Sequence, residues 1–137
     1  MAKTLKLEII TPETIAYSGD AEFVLIPAEL GEMGVYPMHT PLITRINPGE
    51  LVVTQKGEKL HMAIGEGFAE ITQTNIRILA DMAITEHAID EKAAEKAVER
   101  AEQRLREAKV GDEDVAMVKV ALAKSLAQLK VKRRRPK

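Results

Sequence analysis

Glycine and proline interrupt regular structure, and in this chain they fall almost wholly in one part. Seven of the eight glycines lie before residue 68, and five of the six prolines lie before residue 49. Between Phe68 and Arg135 the one remaining breaker is Gly111. The chain is therefore predicted to have two domains, a frequently interrupted one over residues 1–85 and a continuous one over residues 86–137.

The first domain has the hydrophobic period of β-strands. Leu5, Leu7 and Ile9 occupy every second position, as expected of a half-buried strand. Similar runs cover residues 21–26, 41–46, 51–55, 59–64, 67–72 and 75–81, with turn sequences at residues 18–20, 48–49, 56–57 and 65–67. Because this spacing leaves no room for the crossover helices of a parallel sheet, an antiparallel β sandwich or flattened barrel is predicted.

The second domain is rich in strong helix formers over residues 89–109 and 112–132. Gly111 suits a helix C-terminus and Asp112 an N-cap, so an antiparallel two-helix hairpin is predicted. Each alanine removes little apolar surface from water, so an alanine-rich seam permits the hairpin to open. The predicted seam comprises Ile89, Ala93, Ala97, Ala101, Leu105 and Ala108 on the first helix, and Val115, Val118, Leu122, Ser125, Leu126 and Leu129 on the second.

The net charge of −1 conceals a split between the two domains. Residues 1–85 carry six Lys and Arg against eleven Asp and Glu, a balance of −5, and residues 86–137 carry fourteen against ten, a balance of +4. The run at residues 130–137 is strongly basic and allows three interpretations: a nucleic-acid patch, a solvated tail, or a segment that docks on an acidic protein. The slightly acidic net charge of the whole chain and its aromatic content of only 3% disfavour the interpretation as a nucleic-acid patch.

The sequence contains no recognisable catalytic or metal-binding pattern. His39, His61 and His87 lie in different predicted elements without a second ligand at metal-site spacing, and the chain has no cysteine. No nucleophile elbow, phosphate-binding loop or dinucleotide fingerprint occurs. We therefore expect neither an enzyme nor a metal protein. The absence of a long apolar run and of an apolar N-terminal core predicts no membrane span and no export signal.

Residues 31–42 read Gly-Glu-Met-Gly-Val-Tyr-Pro-Met-His-Thr-Pro-Leu. Two glycines and two prolines in twelve residues exclude a regular helix or a central strand, so a shaped loop is predicted. Loops held on rigid scaffolds often carry recognition, which makes this segment the main candidate site of the first domain.

This segment closely resembles one in the epsilon subunit of bacterial F-type ATP synthases, and the likeness covers nearly the whole chain. Residues 43–49, the Gly-Glu-Gly-Phe-Ala-Glu of residues 65–70, the Ile-Leu-Ala-Asp of residues 78–81 and residues 121–129 are also similar to that family. The resemblance implies an all-β plus α fold: an N-terminal ten-stranded antiparallel β sandwich followed by a C-terminal two-helix hairpin.

The resemblance further implies a non-catalytic subunit of the central stalk that needs no cofactor and couples ion flow through the c ring to ATP synthesis. Its partners would be the gamma subunit, the c-ring subunits, and the alpha and beta subunits of the catalytic head. The chain would lie at the cytoplasmic face of the cell inner membrane as a peripheral protein, associated only through the complex. Gly31, Glu32 and Met33 would meet the c ring, and Tyr36, Pro37 and His39 would shape the adjoining rotor surface.

Family members also use the hairpin as a brake on ATP hydrolysis when it extends into the catalytic head. The cations that would then contact acidic groups of the beta subunits are Lys124, Lys130, Lys132, Arg133, Arg134 and Arg135.

A nucleotide motif of some family members is degenerate in this chain. Where those members read Ile/Leu-Asp-x-x-Arg-Ala, this chain has Ile89, Asp90, Ala93 and Ala94. Ala93 replaces the arginine whose forked donors would hold phosphate, so weak ATP binding or none is predicted. Two other hypotheses remain open from the sequence: a free-standing ligand-binding β domain with a helical dimerisation tail, and a nucleotide-sensing module.

Overall fold

The structure, a computed structural model, describes residues 4–109 and 114–133. The predicted helix signals at Gly111 and Asp112, and the predicted regulatory residues Arg134 and Arg135, lie outside these residues. The described strands are β1 (Leu5–Ile10), β2 (Ile15–Ala21), β3 (Phe23–Ala28), β4 (Gly31–Val35), β5 (Leu42–Ile46), β6 (Gly49–Gln55), β7 (Glu58–Ile64), β8 (Gly67–Ile71), β9 (Asn75–Ala80) and β10 (Ala83–Thr85). A 3₁₀ turn (Glu86–Ala88) leads to helices α1 (Glu91–Glu107) and α2 (Val115–Lys132).

The strands form one ten-stranded sheet that folds over on itself as a sandwich. Its order is β10-β7-β6-β3-β5-β8-β9-β1-β2, with β4 paired to β3 beside this path. Tyr17 of β2 donates its hydroxyl hydrogen to the side chain of Gln55 of β6 at 3.4 Å, which brings distant parts of the sheet together. The predicted sandwich is confirmed; its pairing is antiparallel apart from β1 and β9, which run parallel.

Aliphatic side chains fill the sandwich. Alternation places every second residue of a strand inward, so that Leu5, Leu7 and Ile9 are fully buried while their neighbours face outward. Burying each such side chain contributes on the order of 1.5–3 kcal/mol. Other fully buried large residues are Ile26, Leu51, Met62, Ile64, Ile71, Ile76 and Ile78.

Three local predictions for this domain were wrong. Residues 31–42 are not wholly a loop, because Gly31–Val35 forms β4, which pairs with β3 in the described sheet. The predicted turn at residues 18–20 lies inside β2, where Gly19 pairs with Leu7 and the backbone stays extended. The predicted run at residues 21–26 is divided at Glu22, between the end of β2 and the start of β3.

The helices begin close to their predicted positions, but their packed faces differ. Asp90 caps α1, because its carboxylate Oδ1 accepts a hydrogen bond from the backbone N–H of Ala93 at 3.0 Å. Ala93 is exposed and Ala94 is buried, so the predicted α1 stripe was wrong by one residue in the first turn of the helix, whereas Ile89 and Ala101 are buried as predicted. On α2, Leu126 is half-exposed whereas Ala127 is buried. The reason is that α2 packs against both α1 and the sheet, so two of its faces are covered.

The hairpin is antiparallel and docks on the sandwich. Arg104, near the end of α1, pairs with Asp114 at the start of α2, whereas Arg133, just after α2, pairs with Glu91 at the start of α1. Helix α2 packs across the outer face of β6 and β7. There Val131 joins Ala63 and Ile89 in a second buried cluster.

Candidate functional site

The predicted recognition segment, residues 31–42, consists of β4 and the connection to β5, and we call it the rim. Here β3 and β4 pair from Val24 opposite Val35 to Ala28 opposite Gly31. Gly31 has a φ of 125°, which favours glycine. Glu32 is exposed and Met33 is half-buried. The structure therefore places Gly31, Glu32 and Met33 on a strand, which fixes them more firmly than a free loop would.

The rest of the rim is stiffened by its backbone and by proline. Pro37 is half-buried, and Met38 adopts a φ of 71°, which is uncommon for a residue other than glycine. The Met38 N–H donates to the carbonyl oxygen of Gln73 at 2.8 Å, which ties the rim to the turn after β8. His39 Nδ1 lies 2.6 Å from the Thr40 carbonyl oxygen. A pre-ordered rim loses little entropy when it binds.

An aromatic pair supports Tyr36. The rings of Phe23 and Tyr36 lie 4.5 Å apart between centroids, with an angle of 37° between their planes. A Cβ on Gly34 would lie 2.7 Å from the Phe23 ring, so only glycine leaves room for that ring over β4. Tyr36 remains 64% exposed.

The structure brings the rim and the hairpin together at one cleft of about 630 Å³. Glu32 and Tyr36 of the rim and Lys130 of α2 all line it. The sequence placed these residues in two separate sites. The cleft also contains Glu50 and His61, whose Oε2 and Nδ1 atoms are 3.2 Å apart.

A row of exposed apolar side chains crosses the sheet on strands β2, β1, β9 and β8. Strand register aligns Ile15 with Ile10, Ile10 with Leu79 and Leu79 with Phe68. Ile15, Leu79 and Phe68 are 59%, 51% and 50% exposed, which is unusual for adjacent large apolar residues. Arg45 continues the row on β5, with its guanidinium 5.9 Å from the centroid of the Phe68 ring. We call the four apolar residues, Ile15, Ile10, Leu79 and Phe68, the apolar row.

Sequence reasoning missed the apolar row. The alternation of each strand marks Leu79 and Phe68 as outward residues, but only the register between strands places them side by side.

Most of the predicted regulatory cations in the described residues have partners within the chain. Lys124 Nζ donates to Asp81 Oδ2 at 3.0 Å, and Lys132 Nζ donates to the Glu86 carbonyl oxygen at 3.3 Å. Arg133 donates to the carboxylates of Glu91 and Glu95, and these hydrogen bonds raise the pKa of Arg133 above its usual value. Lys130 is exposed.

The degenerate nucleotide motif has structural roles in this conformation. Ile89 is buried in the second cluster, and Asp90 caps α1. Ala94 is buried as well, which leaves Ala93 as the exposed member. Ile89 therefore fastens the start of the hairpin to the sandwich, and Asp90 starts helix α1.

Within residues 4–109 and 114–133, no three acidic or histidine side chains lie close enough together to hold a metal ion. Neither α1 nor α2 is long and apolar enough to cross a bilayer.

A β sandwich with a stiff rim and an exposed apolar row, followed by a docked helical hairpin, defines a class of assembly subunits built for contact with other proteins. Two family descriptions match the chain over nearly its full length. The ATP synthase delta/epsilon chain β-sandwich domain matches residues 4–86, and the long α-helix domain of the same chain matches residues 87–133.

Curated proteins and solved structures agree with this match. The ATP synthase epsilon chain of Laribacter hongkongensis is 41% identical over 93% of this chain and 91% of its own length. The ATP synthase epsilon chain of Desulforamulus reducens is 40% identical over 95% of this chain and 98% of its own length. A chain in the mitochondrial ATP synthase of Euglena gracilis, solved with its OSCP, F1 and c-ring, has the same fold with a TM-score of 0.76 at 24% identity, over 90% of this chain and 78% of that one.

The chain belongs to the ATP synthase epsilon chain family, which confirms the resemblance found in its sequence. It is accordingly a non-catalytic subunit of ATP synthase.

Proposed function

We propose that this epsilon chain is a mechanical joint of the central stalk, which fastens the gamma subunit to the c ring so that ion flow through the ring drives ATP synthesis. Family membership supports a place in the synthase. Solved structures of similar fold come from F1/c-ring and central stalk assemblies, which supports the ring and the stalk as neighbours.

The observation that carries this proposal is the apolar row. The two outer faces of the sandwich differ: α2 covers β6 and β7, while the row on β2, β1, β9 and β8 has no cover within the described chain. Next to it, Glu8 and Arg77 form an ion pair with 3.8 Å between the charged atoms. An apolar stripe beside charged groups is typical of a protein interface, because burial supplies affinity and the charges set orientation. We assign this face to gamma.

The rim is the proposed contact with the c ring. Gly31, Glu32 and Met33 lie on β4, and Tyr36, Pro37 and His39 follow it, so all six belong to one continuous edge. The backbone tie at Met38 and the Phe23–Tyr36 pair hold this edge in shape. A joint that transmits torque needs such stiffness, because a flexible contact would absorb the rotation.

The hairpin, within residues 86–137, is the proposed regulatory domain, and residues 1–85 form the rotor-binding domain. When the hairpin is docked, Lys124, Lys132 and Arg133 bind groups of the chain itself. When the hairpin leaves the sandwich, Lys124 and Lys132 become free for acidic groups of the beta subunits, and Arg133 follows only when α1 and α2 separate. The extended hairpin then opposes hydrolysis. The chain would sit at the cytoplasmic face of the inner membrane, attached only through the complex.

The experiment is co-elution of the purified chain with purified gamma on gel filtration. Leu79→Glu should abolish co-elution, because it places a charge in the apolar row. Leu126→Glu is the matched control, since Leu126 on α2 is 48% exposed, close to the 51% of Leu79, and lies away from the row. Failure of the wild-type chain to bind gamma would favour a free-standing ligand-binding domain, and equal binding by both variants would remove the row from the interface.

A further inference from the structure

The helical hairpin meets the sandwich at the turn between β7 and β8, where three residues converge. Lys124 of α2 donates to Asp81 Oδ2 at 3.0 Å, and Asp81 directly follows β9. Gly65 lies between them: a Cβ at this position would be 2.0 Å from Asp81 Oδ1 and 3.1 Å from Lys124 Cδ. Gly65 therefore makes room for both side chains of the ion pair.

The sandwich side of this junction is fixed by its backbone. The Gly65 N–H donates to the carbonyl oxygen of Met82 at 2.9 Å, and the Asp81 N–H donates to the carbonyl oxygen of Glu66 at 3.0 Å. These two bonds hold the glycine and the aspartate in register. The sandwich thus fixes the backbone of Asp81 where its carboxylate contacts Lys124 of α2.

We propose that Gly65, Asp81 and Lys124 form a latch that holds the hairpin docked on the sandwich. The pairs of Arg133 with Glu91 and of Arg104 with Asp114 lie within the hairpin, so they move with it when it leaves. The pair of Lys124 with Asp81 joins the hairpin to the sandwich and must break on undocking.

The strength of the latch suits a reversible contact. The side chains of Lys124 and Asp81 are 29% and 42% exposed, so water and salt screen their attraction. Gln128 adds a neighbouring contact, with its Nε2 3.3 Å from the sulfur of Met82. The latch therefore biases the position of the hairpin without locking it.

The latch also makes Asp81 an internal competitor for Lys124. While Lys124 Nζ is bonded to Asp81, it is not available to a carboxylate of another subunit. Opening of the latch is then linked to any contact that Lys124 makes elsewhere, because one partner must be exchanged for the other. The docking part of this inference rests on the contacts alone, whereas its consequence for hydrolysis rests on the proposed brake.

Hydrogen exchange of the full-length chain tests the docking part. In Asp81→Asn and in Lys124→Gln, amides of α2 should exchange about two- to fivefold faster, the size expected for a partly exposed ion pair. The double variant should exchange no faster than either single variant, because both remove the same interaction. Glu8→Gln, which breaks the Glu8–Arg77 pair on the apolar-row face, is the matched control and should leave α2 unchanged.

Gly65→Ala supplies an independent variant. Its methyl group should displace the Asp81 carboxylate and accelerate exchange in α2 by at least as much, while amides of β1 and β9 keep wild-type protection. Raising the salt concentration should narrow the difference between wild type and Asp81→Asn. Unchanged exchange of α2 in Asp81→Asn and Gly65→Ala, or additive effects in the double variant, would overturn the latch.

Hydrolysis by the assembled enzyme separates the latch from the brake. Asp81→Asn should lower the rate, because it frees the hairpin and leaves Lys124 available to the head. Lys124→Gln should inhibit less, because it frees the hairpin but removes that cation. Faster exchange in α2 with unchanged hydrolysis in both variants would support the latch and contradict the brake.

Discussion

The carbonyl oxygen of Leu79 occupies the space that a side chain on Gly67 would need. A Cβ on Gly67 would lie 1.8 Å from that oxygen and 2.8 Å from the Cα of Ala80. Gly67 pairs with Ala80 across β8 and β9, so the two backbones meet at this pair without room for a methyl group. The close approach sets the position of Phe68 opposite Leu79, and with it the spacing of the apolar row.

Gly67→Ala should lower the free energy of unfolding by about 3 kcal/mol, the upper end of the usual cost of overpacking, because backbone must move. Gly19→Ala is the matched control: its Cβ would meet the Tyr17 hydroxyl at 3.3 Å, and a side chain can yield. We expect the control to cost less than about 1 kcal/mol. Urea unfolding followed by circular dichroism measures both, and equal stability of the two variants would contradict the account of this strand pair.

Asp90→Ala should destabilise the helical hairpin by about 1 kcal/mol, because it removes the acceptor for the Ala93 N–H. Asp90→Asn keeps a side-chain oxygen and should retain most of that stability. Hydrogen exchange of the first turn of α1 is the measurement. If Asp90→Asn exchanged as fast as Asp90→Ala, the cap would not account for the role of this residue.

The wild-type chain should bind MgATP more weakly than about 1 mM, because Ala93 offers no donor to phosphate. Ala93→Arg restores forked donors at an exposed position of the first turn and should bind more tightly than wild type. Isothermal titration calorimetry compares them. A micromolar dissociation constant for the wild type would show that the degenerate motif is still a nucleotide site.

Deletion of residues 86–137 should raise the ATP hydrolysis rate of the assembled enzyme, because it removes the proposed brake. The shortened chain should still co-elute with gamma, since the apolar row belongs to β1, β2, β8 and β9, beside Arg45 on β5. If the shortened chain bound gamma but left the hydrolysis rate unchanged, the proposed regulation by the hairpin would be contradicted, whereas the proposed coupling role would stand.

Local patterns predicted most elements of the fold. The alternation of Leu5, Leu7 and Ile9 predicted β1, and the long stretch interrupted only by Gly111 predicted the two helices. The errors arose where tertiary pairing overrode local signals: Gly19 remains extended because β1 pairs with it, and Gly31 to Val35 forms a strand because β3 pairs alongside. Contact of α2 with two surfaces likewise could not be derived from a single periodic stripe.

The candidate site was only partly accessible from sequence. The unusual composition of residues 31–42 identified the rim without its strand. The apolar row depends on register between strands far apart in sequence, such as the parallel pairing of Ile10 with Leu79, which no local pattern reveals. The cleft shared by Glu32 and Lys130 depends on the docking of the hairpin, and so does the latch between Lys124 and Asp81.

ATP-driven ion pumping in membrane vesicles tests the central claim most directly, with enzyme depleted of its epsilon chain and supplied with this one. Wild-type chain should restore ion pumping per ATP hydrolysed, because the ring is again fastened to gamma. Leu79→Glu should fail to restore it, and Leu126→Glu should succeed. Equal pumping with and without the chain, or full restoration by Leu79→Glu, would contradict its role as the joint between gamma and the c ring.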